Sequence, residues 1–392
     1  MDSAWRNRYL AVAAFAVLLL LTVWRRPRLG GAHTGRTSTR GTAPAAAADL
    51  CTGVARSLRG QKGFIFIKTH KTAGSTLSAV LWRKLCEVER LNCFLPPHSN
   101  PGRIWSLSKD WATIQTSAGS GNRSYPFDAW LHHVHYSDRL LDVVPAARLR
   151  VSIVRKPSQR FQSAWIWYDH ARRLKMSLQT FIEKVASKQI SACRHRYLPR
   201  LFQCYDFKYR TGLDATSGEL VGLEAAKLAG AALHPKFERL LADVAAGRVL
   251  LLVADRFDQS LVVLALLAEW PLHQLLYLSK KVSSHNKSSP HFSLSTQAAE
   301  LADRVQPLDS ALYTAATTML ERYTHCLGDG LVRAETDRFR KALARLSTAC
   351  ARPAAGEAAL CERLARDNRE IVQRWRPGSG RRVAEGLERF FV

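Results

Sequence analysis

The sequence predicts an α/β protein with a central parallel sheet flanked by helices and a helical C-terminal part. Three short apolar segments, each followed by a helical pattern, indicate this class: 64–68 (FIFIK), 148–154 (RLRVSIV) and 248–254 (RVLLLVA). Strands buried on both faces are continuously apolar, and parallel strands need helical crossovers between them. With 392 residues, 47% of them hydrophobic, the chain is long enough for one large packed domain.

The helices are predicted from apolar residues that recur at helical spacing. After the first segment, Leu77, Val80, Leu81 and Leu85 share one face, which predicts a helix over 75–90. The other predicted helices span 158–174, 258–270, 309–326 and 337–346. The sequence does not distinguish a helix from a frayed tail over 354–376. Together these patterns predict one domain over 61–350 and a C-terminal helical extension or tail over 351–392.

The first sixty residues predict a membrane anchor and a stem. Residues 9–24 (YLAVAAFAVLLLLTVW) carry no charge and follow a short tail, 1–8. A bilayer crossing needs about 20 apolar residues, so the segment is short, but no small-residue cleavage site follows it. We therefore favour an uncleaved signal anchor over a cleaved signal peptide. Residues 25–60 are rich in Arg, Gly, Thr, Pro and Ala and predict a flexible stem.

The formal net charge of +26 predicts an anionic partner such as nucleic acid, an acidic membrane surface, an acidic glycan or a phosphorylated small molecule. A basic nucleic-acid-binding protein is thus an alternative. The sequence contains no nucleic-acid recognition motif, and the apolar segment near the N-terminus argues against that class.

The stretch KTHKTAGSTL, 68–77, follows the first predicted strand and opens the first predicted helix. The free N–H groups and the dipole at a helix start favour an anion, and Lys71 adds a positive charge. The loop of nucleoside triphosphatases would have a lysine directly after its last glycine, whereas here the lysines precede Gly74. The stretch therefore predicts an anion site that is not of the ATPase or kinase type.

A second anion-binding pattern is IVRKPSQRFQSAW, 153–165, in which Arg155 follows a strand and Ser163 comes eight residues later on a helix. The planar guanidinium of an arginine suits a phosphate group, and a serine about two turns along the helix adds a neutral donor on the same side. The combination of both patterns favours a ligand with two separate anionic groups.

The two patterns resemble the phosphate-binding motifs of sulfotransferases that use PAPS (3′-phosphoadenosine 5′-phosphosulfate). The fuller string resembles the membrane-bound galactose 3-O-sulfotransferases, the group that contains cerebroside sulfotransferase, and 250–261 and 308–313 resemble further segments of that group. The resemblance implies a P-loop-like sulfotransferase fold with Arg155 and Ser163 at the 3′-phosphate. It implies that the 5′-phosphosulfate is bound by Lys68, Lys71, Thr72, Gly74, Ser75 and Thr76.

The resemblance also implies the partners and the location of the protein. The acceptor would be a glycolipid or glycoprotein glycan, most closely the 3-hydroxyl of galactose, with a uronic acid or amino sugar as the alternative. The protein would be a single-pass type II protein of the Golgi membrane with a lumenal catalytic domain and no nucleic-acid partner. Basic residues lie on both sides of 9–24, with slightly more on the C-terminal side, and this excess argues against the topology. The sequons at Asn122 and Asn286 and the eight cysteines favour it.

Sulfuryl transfer to a hydroxyl needs a group that accepts the hydroxyl proton, and imidazole suits this near neutral pH. Candidates are His70 and the histidines of WLHHVHYSD, among which the resemblance points to His133. If 130–136 is extended, His133 and His135 share one face and His132 points away. We assign the base to His133, the bridging oxygen to Lys71, and a further active-site role to His70.

The sequence predicts no catalytic metal, because neither a carboxylate cluster with metal spacing nor a C-x₂-C pair occurs. A zinc site at His133 and His135 is disfavoured because no cysteine or carboxylate is near them in the sequence. Of the eight cysteines, Cys193–Cys204 and Cys350–Cys361 are local candidates for disulfides. A degenerate, non-catalytic glycan-binding relative is disfavoured by the intact set of candidate residues.

Overall fold

The structure is a computed structural model, and it describes nine stretches of the chain: 45–59, 63–94, 104–116, 125–187, 213–222, 234–278, 294–354, 356–366 and 386–391. The predicted anchor at 9–24, both sequons and the Cys193–Cys204 pair lie outside these stretches. Within them, no helix has both the length and the apolar character that a bilayer crossing requires.

A four-stranded, entirely parallel sheet forms the centre of the described structure. Its strands are β1 (Phe64–Ile67), β2 (Ala129–Trp130), β3 (Arg150–Val154) and β4 (Val249–Val253), in the spatial order β2-β1-β3-β4. All residues of the four strands are buried, as expected for a parallel sheet covered on both faces. The predicted fold class is confirmed.

Fourteen helices accompany the sheet in the described residues. They are α1 (Ala45–Leu58), α2 (Gly74–Leu81), α3 (Trp111–Thr116), α4 (Leu140–Val143), α5 (Pro157–Trp167), α6 (His170–Leu174), α7 (Leu178–Ala186), α8 (Ala215–Val221), α9 (Pro235–Ala245), α10 (Phe257–Ala268), α11 (Thr296–Arg304), α12 (Pro307–Leu327), α13 (Asp329–Ala351) and α14 (Ala358–Ala365). Wider π-helical turns over Trp82–Val88 extend α2, and 3₁₀ turns lie at Ala254–Arg256, Leu272–Leu275 and Arg389–Phe391.

The helices that follow the strands begin where the sequence places a helix start. Pro157 occupies the first turn of α5, where its missing N–H costs nothing, and the Ser260 hydroxyl bonds the backbone of Val253 and so fixes α10 to the end of β4. The helix predicted over 158–174 is two helices, because Asp169 adopts φ 53° between them. The helix predicted over 337–346 extends to Asp329–Ala351.

The predicted stem contains a packed helix. We expected a flexible stem over 25–60, but α1 occupies its last part, and α1 packs against α10 and α12 with Val54 and Leu58 buried. The run of alanines resembles a linker in composition, but alanine also has the highest helix propensity. Packing against the rest of the domain decides between a flexible linker and a helix. The folded part of the chain therefore begins before residue 61.

Three disulfides link the described residues. Cys51 of α1 is joined to Cys326 of α12 over 275 residues of sequence, and Cys86 is joined to Cys93. The third, Cys350–Cys361, confirms one of the two predicted local pairs. Disulfides of this number are typical of proteins that fold in an oxidising compartment.

Candidate active site

The candidate site lies where the four parallel strands end at their carboxyl edge. The 68–73 loop follows β1, the histidine segment follows β2, Arg155 follows β3, and Asp255 follows β4. Open α/β sheets bind ligands in the crevice outside the carboxyl ends of their strands. Because β2 and β3 both pair with β1, the histidine segment and Arg155 are the nearest neighbours of the loop.

The loop after β1 has an unusual backbone. Lys71 and Ala73 have φ values of 66° and 64°, a left-handed conformation that costs a residue other than glycine about 1 kcal/mol or more. The Thr69 hydroxyl donates to the Ile153 carbonyl at 2.8 Å, and the Thr72 hydroxyl donates to the Thr69 carbonyl at 3.2 Å. Alternating conformations of this kind make successive N–H groups converge on an anion. The loop thus has the backbone geometry expected of an anion site.

The loop residues that were predicted to bind the sulfuryl donor occupy different environments. Lys68, Thr72 and Thr76 are buried, whereas Lys71 and Ser75 are partly exposed. Because the Thr72 hydroxyl bonds within the loop, this side chain shapes the loop, and only its backbone N–H remains for a ligand. A Cβ atom on Gly74 would lie 3.0 Å from the Thr69 carbonyl, so a side chain there would displace the loop.

Arg155 and Ser163 are placed as the sequence predicts. Arg155 lies directly after β3 and Ser163 on α5, and both are partly exposed. Asp255 holds this strand end: its carboxylate accepts from the Lys156 N–H at 2.9 Å and lies 3.9 Å from the Arg155 Nε. Burial lowers the pKa of Arg155, and Asp255 opposes the effect.

The two predicted anion motifs meet at Trp167. Ser163 and Trp167 are four residues apart on α5 and so share a face, and the Lys71 ammonium lies 4.2 Å from the centre of the Trp167 ring. The Trp167 side chain is 50% exposed, whereas Trp165 is fully buried. The contact between Lys71 and Trp167 brings the loop and the helix of the second motif to one site.

His70 and His133 form a stacked pair beside the loop. Their ring centres are 3.9 Å apart with an interplanar angle of 13°. As predicted, His133 and His135 face the same way, since their Nδ1 atoms contact the side chain and the backbone carbonyl of one residue, Glu219. The His132 ring lies elsewhere, against Trp82 and Phe94.

Glu219 is the site residue that the sequence analysis missed. Its Oε1 lies 2.7 Å from His70 Nδ1 and 3.0 Å from His133 Nδ1, and its Oε2 accepts from the His70 backbone N–H at 2.8 Å. The carboxylate is almost wholly buried. No motif marks Glu219 in the sequence, and it is 149 and 86 residues from the two histidines. A tertiary contact alone reveals it.

The charges of this cluster follow from its burial. Burial lowers the pKa of His133 well below its ordinary value, the charges of His70 and Lys68 lower it further, and the Glu219 carboxylate opposes them. Burial alone would raise the pKa of Glu219, but the two histidines hold it below its ordinary value. The cluster therefore contains an ionised Glu219 beside a neutral His133.

The three side chains are also of types that bind transition metals. The carboxylate that the sequence analysis found lacking near the histidines is present as Glu219, with donor atoms of all three residues within 4.8 Å of one another. Hydrogen bonds account for this spacing, since His133 Nδ1 also lies 2.8 Å from the Lys68 carbonyl. The positive charge of Lys68 beside His133 further disfavours a cation there.

A loop with the backbone geometry of an anion site, a strand-end arginine and a histidine pair lie at the carboxyl edge of a parallel sheet, the arrangement expected of a group-transfer enzyme with an anionic donor. The chain belongs to the galactose-3-O-sulfotransferase family, whose model matches residues 4–384. The family predicted from the two motifs is confirmed, and with it the class of carbohydrate sulfotransferases.

Three relatives show how similar the sequence of this chain is to those of other family members. Human galactose-3-O-sulfotransferase 3 is 26% identical over 318 residues, covering 80% of this chain and 68% of its own. Human galactosylceramide sulfotransferase is 26% identical over 372 residues, with 89% and 79% coverage. Galactose-3-O-sulfotransferase 2 of Sus scrofa is 25% identical over 296 residues, with 73% and 68% coverage. No solved structure gives a significant match.

Proposed function

We propose that the protein transfers the sulfuryl group of PAPS to the 3-hydroxyl of a galactose unit in a glycolipid or glycoprotein. The observation that carries the proposal is the meeting of three elements at one edge of the sheet: the anion loop with Lys71, the helix with Ser163, and the His70–His133 pair. The named relatives support galactose as the acceptor sugar, because they are galactose and galactosylceramide sulfotransferases.

In this reaction the acceptor oxygen forms a bond to sulfur while the bond from sulfur to the bridging phosphate oxygen breaks. Lys71 and the N–H groups at the start of α2 stabilise the negative charge that develops on the leaving phosphate. A histidine of the stacked pair accepts the hydroxyl proton. Sulfuryl transfer places less charge on the reacting group than phosphoryl transfer, so fixed cationic and dipolar groups suffice in the proposal without a metal.

We further propose that the protein is a single-pass type II Golgi membrane protein, anchored by residues 9–24 with its catalytic domain in the lumen. The three disulfides of the described residues support an oxidising compartment. Protease protection of the C-terminal domain in sealed Golgi vesicles tests this topology, and digestion without detergent would contradict it.

The proposed reaction is tested with the full-length protein in detergent, sulfur-labelled PAPS and a panel of glycan acceptors. We expect label on terminal β-galactosides and loss of that label when position 3 is blocked. Label only on uronic acids or amino sugars would retain the sulfotransferase and refute galactose. A protein that neither binds PAPS nor labels any acceptor would refute the proposed function as a whole.

Replacing Arg155 by alanine should weaken binding of the donor about 10- to 100-fold, because a charge-assisted hydrogen bond contributes about 1.5–3 kcal/mol. Adenosine 3′,5′-bisphosphate should lose affinity, whereas adenosine 5′-phosphate, which lacks the 3′-phosphate, should bind wild type and variant equally. Calorimetry measures both. The control is Arg389→Ala, since Arg389 is an exposed arginine that also forms an ion pair, with Glu357. Equal losses for the two nucleotides would refute the assignment to the 3′-phosphate.

A further inference from the structure

The protonation of the His70–Glu219–His133 cluster can be assigned from its acceptors. His133 Nδ1 lies 2.8 Å from the Lys68 carbonyl and 3.0 Å from a Glu219 oxygen, and both of these groups accept hydrogen bonds. His70 Nδ1 lies 2.7 Å from the same Glu219 oxygen. Each Nδ1 must therefore carry a hydrogen, and in the neutral form of each ring the lone pair is on Nε2.

The two histidines differ in how far they reach solvent. The side chain of His70 is 14% exposed, whereas those of His133 and Glu219 are 4% and 1% exposed. His70 also directly precedes Lys71 in the anion loop. In the proposed function, the sulfuryl group of PAPS lies at this loop. Of the two Nε2 lone pairs, that of His70 is thus the better placed to meet an acceptor hydroxyl.

We propose that His70 is the proton acceptor of the transfer and that Glu219 is its positioning residue, with His133 supporting the ring by stacking. This inference rests on the proposed function and reverses our sequence-based assignment of the base to His133. The proton moves from the acceptor hydroxyl to His70 Nε2, and the resulting imidazolium keeps its Nδ1–H bond to Glu219, which stays ionised. Transfer of that proton to water restores the site.

Glu219 is held in place by contacts on both sides of its short helix. The Asp309 carboxylate accepts from Thr216 N at 3.1 Å and Ser217 N at 2.7 Å, which ties the start of α8 to α12. On the other side, the Glu219 carbonyl accepts from His135 Nδ1 at 2.7 Å. A carboxylate fixed in this way can orient an imidazole without reorganising during the reaction.

The charge of Glu219 also limits the number of protons in the cluster. If both stacked rings were protonated, their positive charges would repel each other. A single carboxylate compensates the positive charge of only one of them. The other charged and titratable groups around the cluster are Lys68, whose charge acts on His133, Arg160 of α5, which interacts with Glu219, and His135, which bonds the Glu219 carbonyl; Asp214 and Asp309 interact with Arg160. Glu219, by contrast, contacts both rings through its carboxylate.

The kinetic test uses Glu219→Gln in the full-length protein, with Glu219→Asp as the conservative variant. We expect kcat/KM for the acceptor to fall about 10²- to 10³-fold in Glu219→Gln while the Kd of the donor changes less than about 3-fold. Glu219→Asp should recover part of the loss.

The control is Glu87→Gln, which removes another partly buried carboxylate, one that pairs with Arg363. It should leave kcat/KM for the acceptor unchanged. An unchanged kcat/KM in Glu219→Gln would refute the proposal while leaving the transferase function intact. The base assignment would be overturned if His70→Ala kept its activity and His133→Ala lost it.

A second readout does not depend on turnover. Nitrogen-15 NMR of the histidine rings should show the Nδ1–H form for both His70 and His133 in the wild type, and a change at His70 in Glu219→Gln. The opposite tautomer in the wild type would refute the proposal even if no acceptor were found. Loss of activity on dialysis against EDTA, restored by Zn²⁺, would identify the cluster as a metal centre and would also overturn the proposal.

Discussion

Replacing Lys71 by alanine is expected to lower kcat about 10²- to 10³-fold, as large an effect on activity as any that the site predicts. One preorganised donor to a developing oxyanion contributes about this factor, and a cation in a partly buried site contributes at least as much. Lys71 lies in the strained loop, with its ammonium against Trp167 and within reach of the helix that carries Ser163. The measurement is a single-turnover assay with saturating labelled PAPS and a β-galactoside.

Lys71→Arg keeps the charge but changes the geometry, and it should retain more activity than Lys71→Ala. The matched control is Lys236→Ala, since Lys236 is an exposed lysine on α9. Thermal unfolding should be similar for all three variants, which separates loss of catalysis from loss of fold. Full activity in Lys71→Ala would show that the leaving phosphate is stabilised elsewhere.

Removal of the Cys51–Cys326 disulfide is expected to have the largest effect on stability. In the loop-closure estimate, cross-linking residues 275 apart stabilises the fold by about 6 kcal/mol, whereas cross-linking residues 11 apart, as in Cys350–Cys361, contributes about 3 kcal/mol. The double variant Cys51→Ala/Cys326→Ala should therefore melt roughly 10 °C below the wild type. Scanning calorimetry measures the difference.

The matched comparison is Cys350→Ala/Cys361→Ala, which also replaces two half-cystines by alanine. It should cause the smaller decrease in Tm, because its loop is shorter. If the two double variants melted at the same temperature, α1 would add little to the stability of the domain, and its packing on α10 and α12 would be peripheral to the core.

The sequence predicted the three longer strands because each is a short run of apolar residues, the pattern of a strand buried on both faces. It did not predict β2, which has only two residues, although this strand places the histidine segment beside the loop. Helix α1 was predicted as stem because composition alone does not show packing. The disulfide and the buried face of α1 are tertiary features.

Within the site, the predictable residues were those whose roles depend on local spacing. Arg155 and Ser163 lie on one strand–helix unit, and Lys71 and Gly74 lie on another. Within each unit, the number of residues between the two side chains determines how far apart they are in space. Glu219 depends on two long-range contacts and on the attachment of α8 to Asp309, so no local pattern could reveal it. The 308–313 segment, predicted only as a resemblance, contains the residue that anchors α8.

Helix α1 determines where this domain can be cut. A fragment starting at residue 61, the boundary that composition suggests, would lose the buried faces of Val54 and Leu58 and would leave Cys326 without its partner. In an oxidising compartment an orphaned thiol of this kind pairs with other chains or with the wrong cysteine. Soluble fragments of the enzyme should therefore begin before Ala45, and proteolytic cleavage between α1 and β1 would leave α1 attached to the domain by the Cys51–Cys326 bridge alone.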